Sequence, residues 1–213
     1  MNTLKDLAKK FGTDKYSHRF CDFYEQQISH LRQEKIKLLE IGILKGRSLK
    51  MWKEYFPHGL IYGADVIDKS HLMEDRISIE KCDQENQEDL KHLFNGETFD
   101  IIIDDGGHTM KQQQFTLANL FCRIKPGGVF FMEDLHTSYS HTTKFNNENY
   151  KTTAELLFTM YDVLSTQRET HKVKNEGFAI TSSQIGSLRS LIDTFNIFFS
   201  GPQSCTCSIK RIS

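Results

Sequence analysis

The sequence lacks an excess of either charge: 27 lysines and arginines face 28 aspartates and glutamates, leaving a formal charge of −1. Nothing in that balance drives the chain toward nucleic acid or an anionic membrane surface. No apolar run approaches the ~18 residues of a spanning helix. The first residues, MNTLKDLAKKFGTDK, are charged where a secretory leader would be apolar. Cysteine is sparse and odd in number, five in 213 residues, which suits a reducing cytoplasm better than a disulfide framework. There is no internal repeat, no low-complexity tract and no linker-like stretch. What remains is a globular chain of one domain's length, 38% hydrophobic and 26% charged.

Five short apolar runs stand out: 36–43 (IKLLEIGI), 60–67 (LIYGADVI), 76–82 (RISIEKC), 99–105 (FDIIIDD) and 127–134 (GGVFFMED). Most are near-continuous β-formers, the pattern of strands buried on both faces. Helical spacing lies around and between them: Phe20, Phe23, Tyr24, Ile28 and Leu31; Leu90, Leu93 and Phe94; Leu117, Leu120, Phe121 and Ile124; Leu157, Met160, Tyr161 and Leu164. Alternating strands and helices predict a doubly wound, mostly parallel α/β sheet in a single domain. After Asp134 a polar loop precedes one further helix, and the tail from Phe195 reads as two strands joined at Gly201-Pro202. Cys205 and Cys207, spaced C-x-C without a second pair nearby, read as two residues on one strand face and not as a zinc site.

In such a sheet ligands bind beyond the carboxyl ends of the strands. All five runs close on acids there: Glu40, Asp65, Asp83, Asp104-Asp105 and Glu133-Asp134. Single acids at such positions often cap the next helix, but five in a row ask for a partner of opposite charge. Gly42 and Gly46 let the backbone turn between the first strand and the helix that begins near Ser48. Their spacing is not the G-x-G-x-x-G of dinucleotide enzymes, which disfavours a dehydrogenase. Asp65, 19 residues past Gly46, stands where a ribose-binding acid belongs. Asp105, Glu133 and Asp134 can meet at adjacent strand ends, where an all-oxygen set selects a hard cation, Mg²⁺ first, then Mn²⁺ or Ca²⁺. His108 follows through two glycines and can stay neutral beside that charge, able to accept a proton.

Together these residues resemble the class I S-adenosylmethionine-dependent methyltransferases, and more narrowly the metal-dependent sugar O-methyltransferases that act on glycosides of macrolides and related polyketides. The likeness runs from FGTDKYSHRFCDFYE (11–25) through LLEIGILKGRSLKMW, IYGADVID, KCDQ and FDIIIDDGGHT to IKPGGVFFMEDLHTSY, about the first two thirds of the chain. It implies that Glu40 and Gly42 lie against the methionine part of S-adenosylmethionine, that Asp65 takes the ribose, and that Asp83 and Gln84 border the adenine. Thr13, Asp14, Lys15 and His18 match a segment that the family folds near the cofactor. Gly46, Ser48 and Asp104 are counted with the cofactor set. The resemblance further implies Mg²⁺, or Mn²⁺, on Asp105, Glu133 and Asp134, with His108 as general base. Within one domain (1–213), residues 1–35 would cover the cofactor, 36–134 form the cofactor and metal core, and 135–213 supply the acceptor loop, a helix and the last strands. His136, Tyr139 and His141 are the loop residues placed nearest an acceptor. The expected partner is a small-molecule sugar or glycoside, with no nucleic acid and no membrane; a homo-oligomer is left open. A catechol-like acceptor, or cofactor binding without catalysis, are the alternative readings.

Overall fold

The computed structural model describes residues 2–139, 149–166, 177–201 and 204–213, without side-chain detail for residues 162–166. Five parallel strands form its centre: β1 (Lys37–Ile41), β2 (Leu60–Asp65), β3 (Ile77–Lys81), β4 (Phe99–Asp104) and β5 (Ile124–Met132). The hairpin β6 (Ile192–Gly201) and β7 (Ser204–Arg211) joins antiparallel through β7, giving the order β3-β2-β1-β4-β5-β7-β6. The order reverses between β1 and β4, so the crevice beyond their carboxyl ends is the place for a ligand.

The continuous apolar runs resolve into two cores by strand parity. Leu38, Ile101, Ile103, Val129 and Phe131 face one side, against α1 (Leu4–Phe11), α2 (Phe20–Ile28) and α3 (Arg47–Tyr55). Leu39, Ile102, Phe130 and Met132 face the other, against α4 (Gln87–His92), α5 (Met110–Leu120), α6 (Thr153–Thr166) and α7 (Ser182–Leu191). Successive residues point to opposite faces, so a strand covered on both sides must be apolar throughout. Cys205 and Cys207 share a core on β7, as their spacing predicts, and all five cysteines are free. No helix among the described residues is long and apolar enough to cross a membrane.

Several boundaries differ from the sequence reading, each for a local reason. Ile124 begins β5 instead of ending a helix, since α5 stops at Leu120 and a 3-10 turn intervenes. Likewise α4 ends at His92, because Phe94 and Asn95 take left-handed conformations. Leu31 lies in a 3-10 turn after α2. Two helices, not one, precede the hairpin. The second, α7, is built from serines, a glycine and few apolar residues, and it is nucleated by a capping box between Thr181 and Gln184.

Arg123 ties one of these turns down. Its guanidinium donates to the carbonyls of Glu97 (2.7 Å), Leu90 (3.1 Å) and Leu93 (2.7 Å), and lies 5.3 Å from the Phe99 ring centre. Arg123→Ala would leave these carbonyls without their charged donor. The expected loss is about 3 kcal/mol or more of unfolding free energy, read by urea denaturation.

Candidate cofactor and metal site

A cavity of about 360 Å³ opens at the strand-order reversal, walled by Gly42, Asp65, Asp83, Asp105, His108 and Asp134. Gly42, at φ +81°, passes so close to the β4 end that an added Cβ would lie 2.0 Å from the Asp105 carbonyl oxygen. That position admits only glycine. Asp65 closes β2, and its Oδ2 accepts the amides of Ile43 (3.3 Å) and Leu44 (3.2 Å) while Oδ1 accepts that of Ile67 (3.0 Å). The carboxylate therefore braces the turn after β1 as well as facing the cavity.

Parity sorts the other strand-end acids. Asp104 continues the Ile102 side and is buried beneath the turn after β4. There its Oδ1 accepts from Gln84 Nε2 (3.2 Å) and the Gly106 amide (3.3 Å), and burial raises its carboxyl to about 7. It does not line the cavity. Gln84 does, but its amide is spent on the fold: Nε2 also donates to Thr116 (2.9 Å), and Oε1 accepts the Gly107 amide (2.7 Å). Glu40 and Glu133 point to the opposite side, toward α2. Both are buried beside Lys15, and Tyr24 donates its hydroxyl to Glu133. Burial pushes Glu133 to about 7 against the pull of Lys15.

The ligand atoms of Asp105, His108 and Asp134 converge within 4.8 Å of one another. This geometric triad differs from the expected one, with His108 standing where Glu133 was foreseen. The reason is that Glu133 keeps strand parity, whereas Asp134 leaves it at φ +56° and swings toward the cavity. His108 is also left-handed, at φ +61°. Such backbone strain in non-glycine residues gathers where surrounding contacts hold it. Here Thr137 Oγ1 lies 3.0 Å from the His108 carbonyl oxygen and 2.8 Å from that of Asp134, within hydrogen-bonding reach of both. His108 Nε2 lies 3.5 Å from Asp134 Oδ2. Burial lowers the imidazole pKa below its ordinary value, with Asp134 opposing.

The donor set fits a divalent cation. Asp134 Oδ1 is buried and accepts no hydrogen bond among the described residues, an orphan that a cation would satisfy. Two further imidazoles attend that oxygen, His136 Nδ1 at 3.7 Å and His18 Nδ1 at 3.9 Å. Tyr139 is exposed, and His141 lies outside the described residues. Of the remaining expected cofactor residues, Thr13 is buried with its hydroxyl on Met51, Gly46 caps α3, and Ser48 sits in the first turn of α3; none of these lines the cavity, whereas Asp14 does. Tyr24 and Thr137 carried no signal in the sequence that set them apart from core and loop residues.

No family model matches the chain. The chain is 37% identical over 146 residues to mycinamicin VI 2''-O-methyltransferase of Micromonospora griseorubida, a match over 64% of this chain and 37% of that protein. It is 38% identical over 145 residues to 8-demethyl-8-alpha-L-rhamnosyl tetracenomycin-C 2'-O-methyltransferase of Streptomyces olivaceus, over 64% of this chain and 38% of the relative. The match thus spans little more than a third of the length of these curated relatives. Among solved structures, the MycE methyltransferase of the mycinamycin biosynthetic pathway, in complex with Mg and SAH, superposes with a TM-score of 0.79 at 27% identity, over 99% of this chain and 55% of that one. A putative caffeoyl-CoA O-methyltransferase from Staphylococcus aureus, at TM-score 0.54 and 11% identity, shares the fold alone. The fold is that of the class I methyltransferases.

Proposed function

We propose that the chain is an S-adenosylmethionine-dependent, divalent-metal-dependent O-methyltransferase of a sugar hydroxyl on a small-molecule glycoside, working in the cytoplasm as one catalytic domain. The observation that carries this reading is the convergence of Asp105, His108 and Asp134 on the wall of the cavity that Asp65 also faces. Relatives that methylate glycosylated macrolides and polyketides support the acceptor class.

In this reading the methyl group passes from sulfonium sulfur to the acceptor oxygen, leaving a neutral thioether, and the hydroxyl proton goes to His108 Nε2. A divalent ion, when bound, supplies the charge that acidifies a hydroxyl otherwise too weakly acidic for imidazole. Asp105 and Asp134 belong to either candidate ligand set, Asp105-His108-Asp134 or Asp105-Glu133-Asp134. Catalysis by His108 requires the second. Gly42 and Asp65 hold the cofactor, and Asp83 and Gln84 border its adenine. The residues after Asp134, His136 first, form the acceptor side.

The test is methyl transfer from S-adenosylmethionine with Mg²⁺ to a panel of rhamnosyl and other deoxysugar glycosides, with catechols alongside, read by mass spectrometry. Transfer to glycosides is expected; transfer to catechols alone overturns the acceptor class, and no transfer with cofactor bound makes the chain a binding protein. Cofactor contact is checked separately. Asp65→Ala is expected to weaken S-adenosylhomocysteine binding by about 1.5–3 kcal/mol, the scale of charged hydrogen bonds. Unchanged affinity by calorimetry in a folded variant would remove Asp65 from the site.

A further inference from the structure

One buried cation already stands among the carboxylates. Lys15 Nζ lies 2.7 Å from Asp105 Oδ2, 2.9 Å from Glu133 Oε1 and 3.0 Å from Glu40 Oε1. Lys15 is 1% exposed, Glu40 0% and Glu133 3%, so these three are shut away from water, while Asp105, 16% exposed, faces the cavity. We propose that Lys15 is a resident counter-ion of the divalent site, standing between Asp105 and Glu133 in the metal-free chain and withdrawing onto Glu40 when a divalent cation takes those two carboxylates. The inference rests on the metal reading above and adds to it the device that lets the site exist without its ion.

The argument starts from charge. Carboxylates crowded at buried strand ends repel and must be protonated or compensated. A single ammonium among the three meets part of that need, and the Tyr24 hydroxyl on Glu133 meets more of it. A divalent cation at Asp105 and Glu133 supplies more charge at the same oxygens, so the ammonium is repelled from them while Glu40 still needs a partner. The structure offers it somewhere to go. Glu40 belongs to neither candidate ligand set, and neither of its oxygens accepts a directed hydrogen bond among the described residues, although Nζ is close to one of them. An ammonium leaving the other two carboxylates can turn a loose contact with Glu40 into a directed one.

Only the side chain needs to swing. The Lys15 carbonyl is held by the Phe20 amide at 3.1 Å, fixing the backbone at the entry to α2, and Tyr24 from the same helix donates to Glu133. A lysine suits this role better than an arginine, being a compact charge on a flexible four-carbon stem.

The experiment measures Mn²⁺ binding by calorimetry, and thermal unfolding in chelator and in Mn²⁺, for the wild type, Lys15→Met, Glu40→Gln and the double variant. If the ammonium competes with the metal, removing it raises the fraction of chains competent to bind. Lys15→Met should then bind Mn²⁺ about tenfold or more tightly, unfold at lower temperature in chelator, and gain more from Mn²⁺ than the wild type does. Glu40→Gln removes the place of withdrawal and should weaken Mn²⁺ binding several-fold, while the double variant should match Lys15→Met. A folded Lys15→Met that binds Mn²⁺ no more tightly than wild type overturns the inference and makes Lys15 a fixed support. Should Lys15→Met fail to fold, Glu40→Gln decides alone, and unchanged Mn²⁺ affinity there overturns the exchange. A wild type that binds no Mn²⁺ overturns the metal reading and this inference with it; binding without the Lys15 effect overturns only the inference.

Discussion

His108→Ala is expected to lower kcat by about 10²–10⁴ while S-adenosylhomocysteine affinity stays nearly intact. The imidazole lines the cavity beside Asp134, but the cofactor contacts assigned above come from the β1, β2 and β3 ends. Because His108 sits at φ +61°, alanine adds backbone strain of its own, so His108→Asn is the better matched variant. Asparagine tolerates the left-handed conformation and cannot accept the proton, so it should be nearly as slow. Mn²⁺ affinity separates the roles of the imidazole: a base leaves it unchanged, whereas a loss along with turnover makes His108 a ligand. The pH profile gives an independent reading. Burial favours the neutral imidazole, so the acid limb of kcat/KM should lie below the ordinary histidine range, with activity falling as pH drops through it. A limb at or above the ordinary value would assign the proton to another group.

Removing divalent metal is expected to abolish turnover outright, and Mg²⁺ or Mn²⁺ should restore it. The basis is the buried Asp134 Oδ1, which has no donor among the described residues, and the approach of Asp105 and His108 ligand atoms to the same carboxylate. Asp134→Asn should behave as the metal-free enzyme does even at high Mg²⁺, since it keeps the left-handed backbone while losing the charge. Full activity in chelator would return Asp105 and Asp134 to structural capping. It would also leave an alcohol with no assistance beyond one imidazole, which is too weak a base for that task.

The sheet, its parallel core and its closing hairpin were legible because covering a strand on both faces demands apolar residues at every position. The same rule, counted by twos, explains where the site reading was less complete. Glu40 follows Leu38, Asp105 follows Ile101 and Ile103, and Glu133 follows Val129 and Phe131, so all three continue one face and meet Lys15. Asp104 follows Ile102 to the other face and goes under the turn. The acids at the strand ends were therefore visible as a group, but which of them turn outward was hidden in the left-handed conformations of His108 and Asp134, which Thr137 helps secure from 29 and three positions away. Gly42 and Asp65 were readable because a tight passage and a strand-end carboxylate leave local signatures. Tyr24 was not, since a phenol aimed at a buried acid looks like any core aromatic.

The antiparallel hairpin has a consequence for biosynthesis. Val129 to Met132 of β5 pair with Cys207 to Lys210 of β7, so the outer edge of the parallel sheet is covered only by residues made 75 to 81 positions later. A chain made only through α7 exposes the outer edge of a strand reading Val-Phe-Phe-Met, where the amides and carbonyls that face away from β4 are unpaired. Such an edge is a template for association with other nascent chains. Slowed or interrupted synthesis near residue 190 should therefore yield insoluble product, even though every helix and parallel strand of the core has already been made.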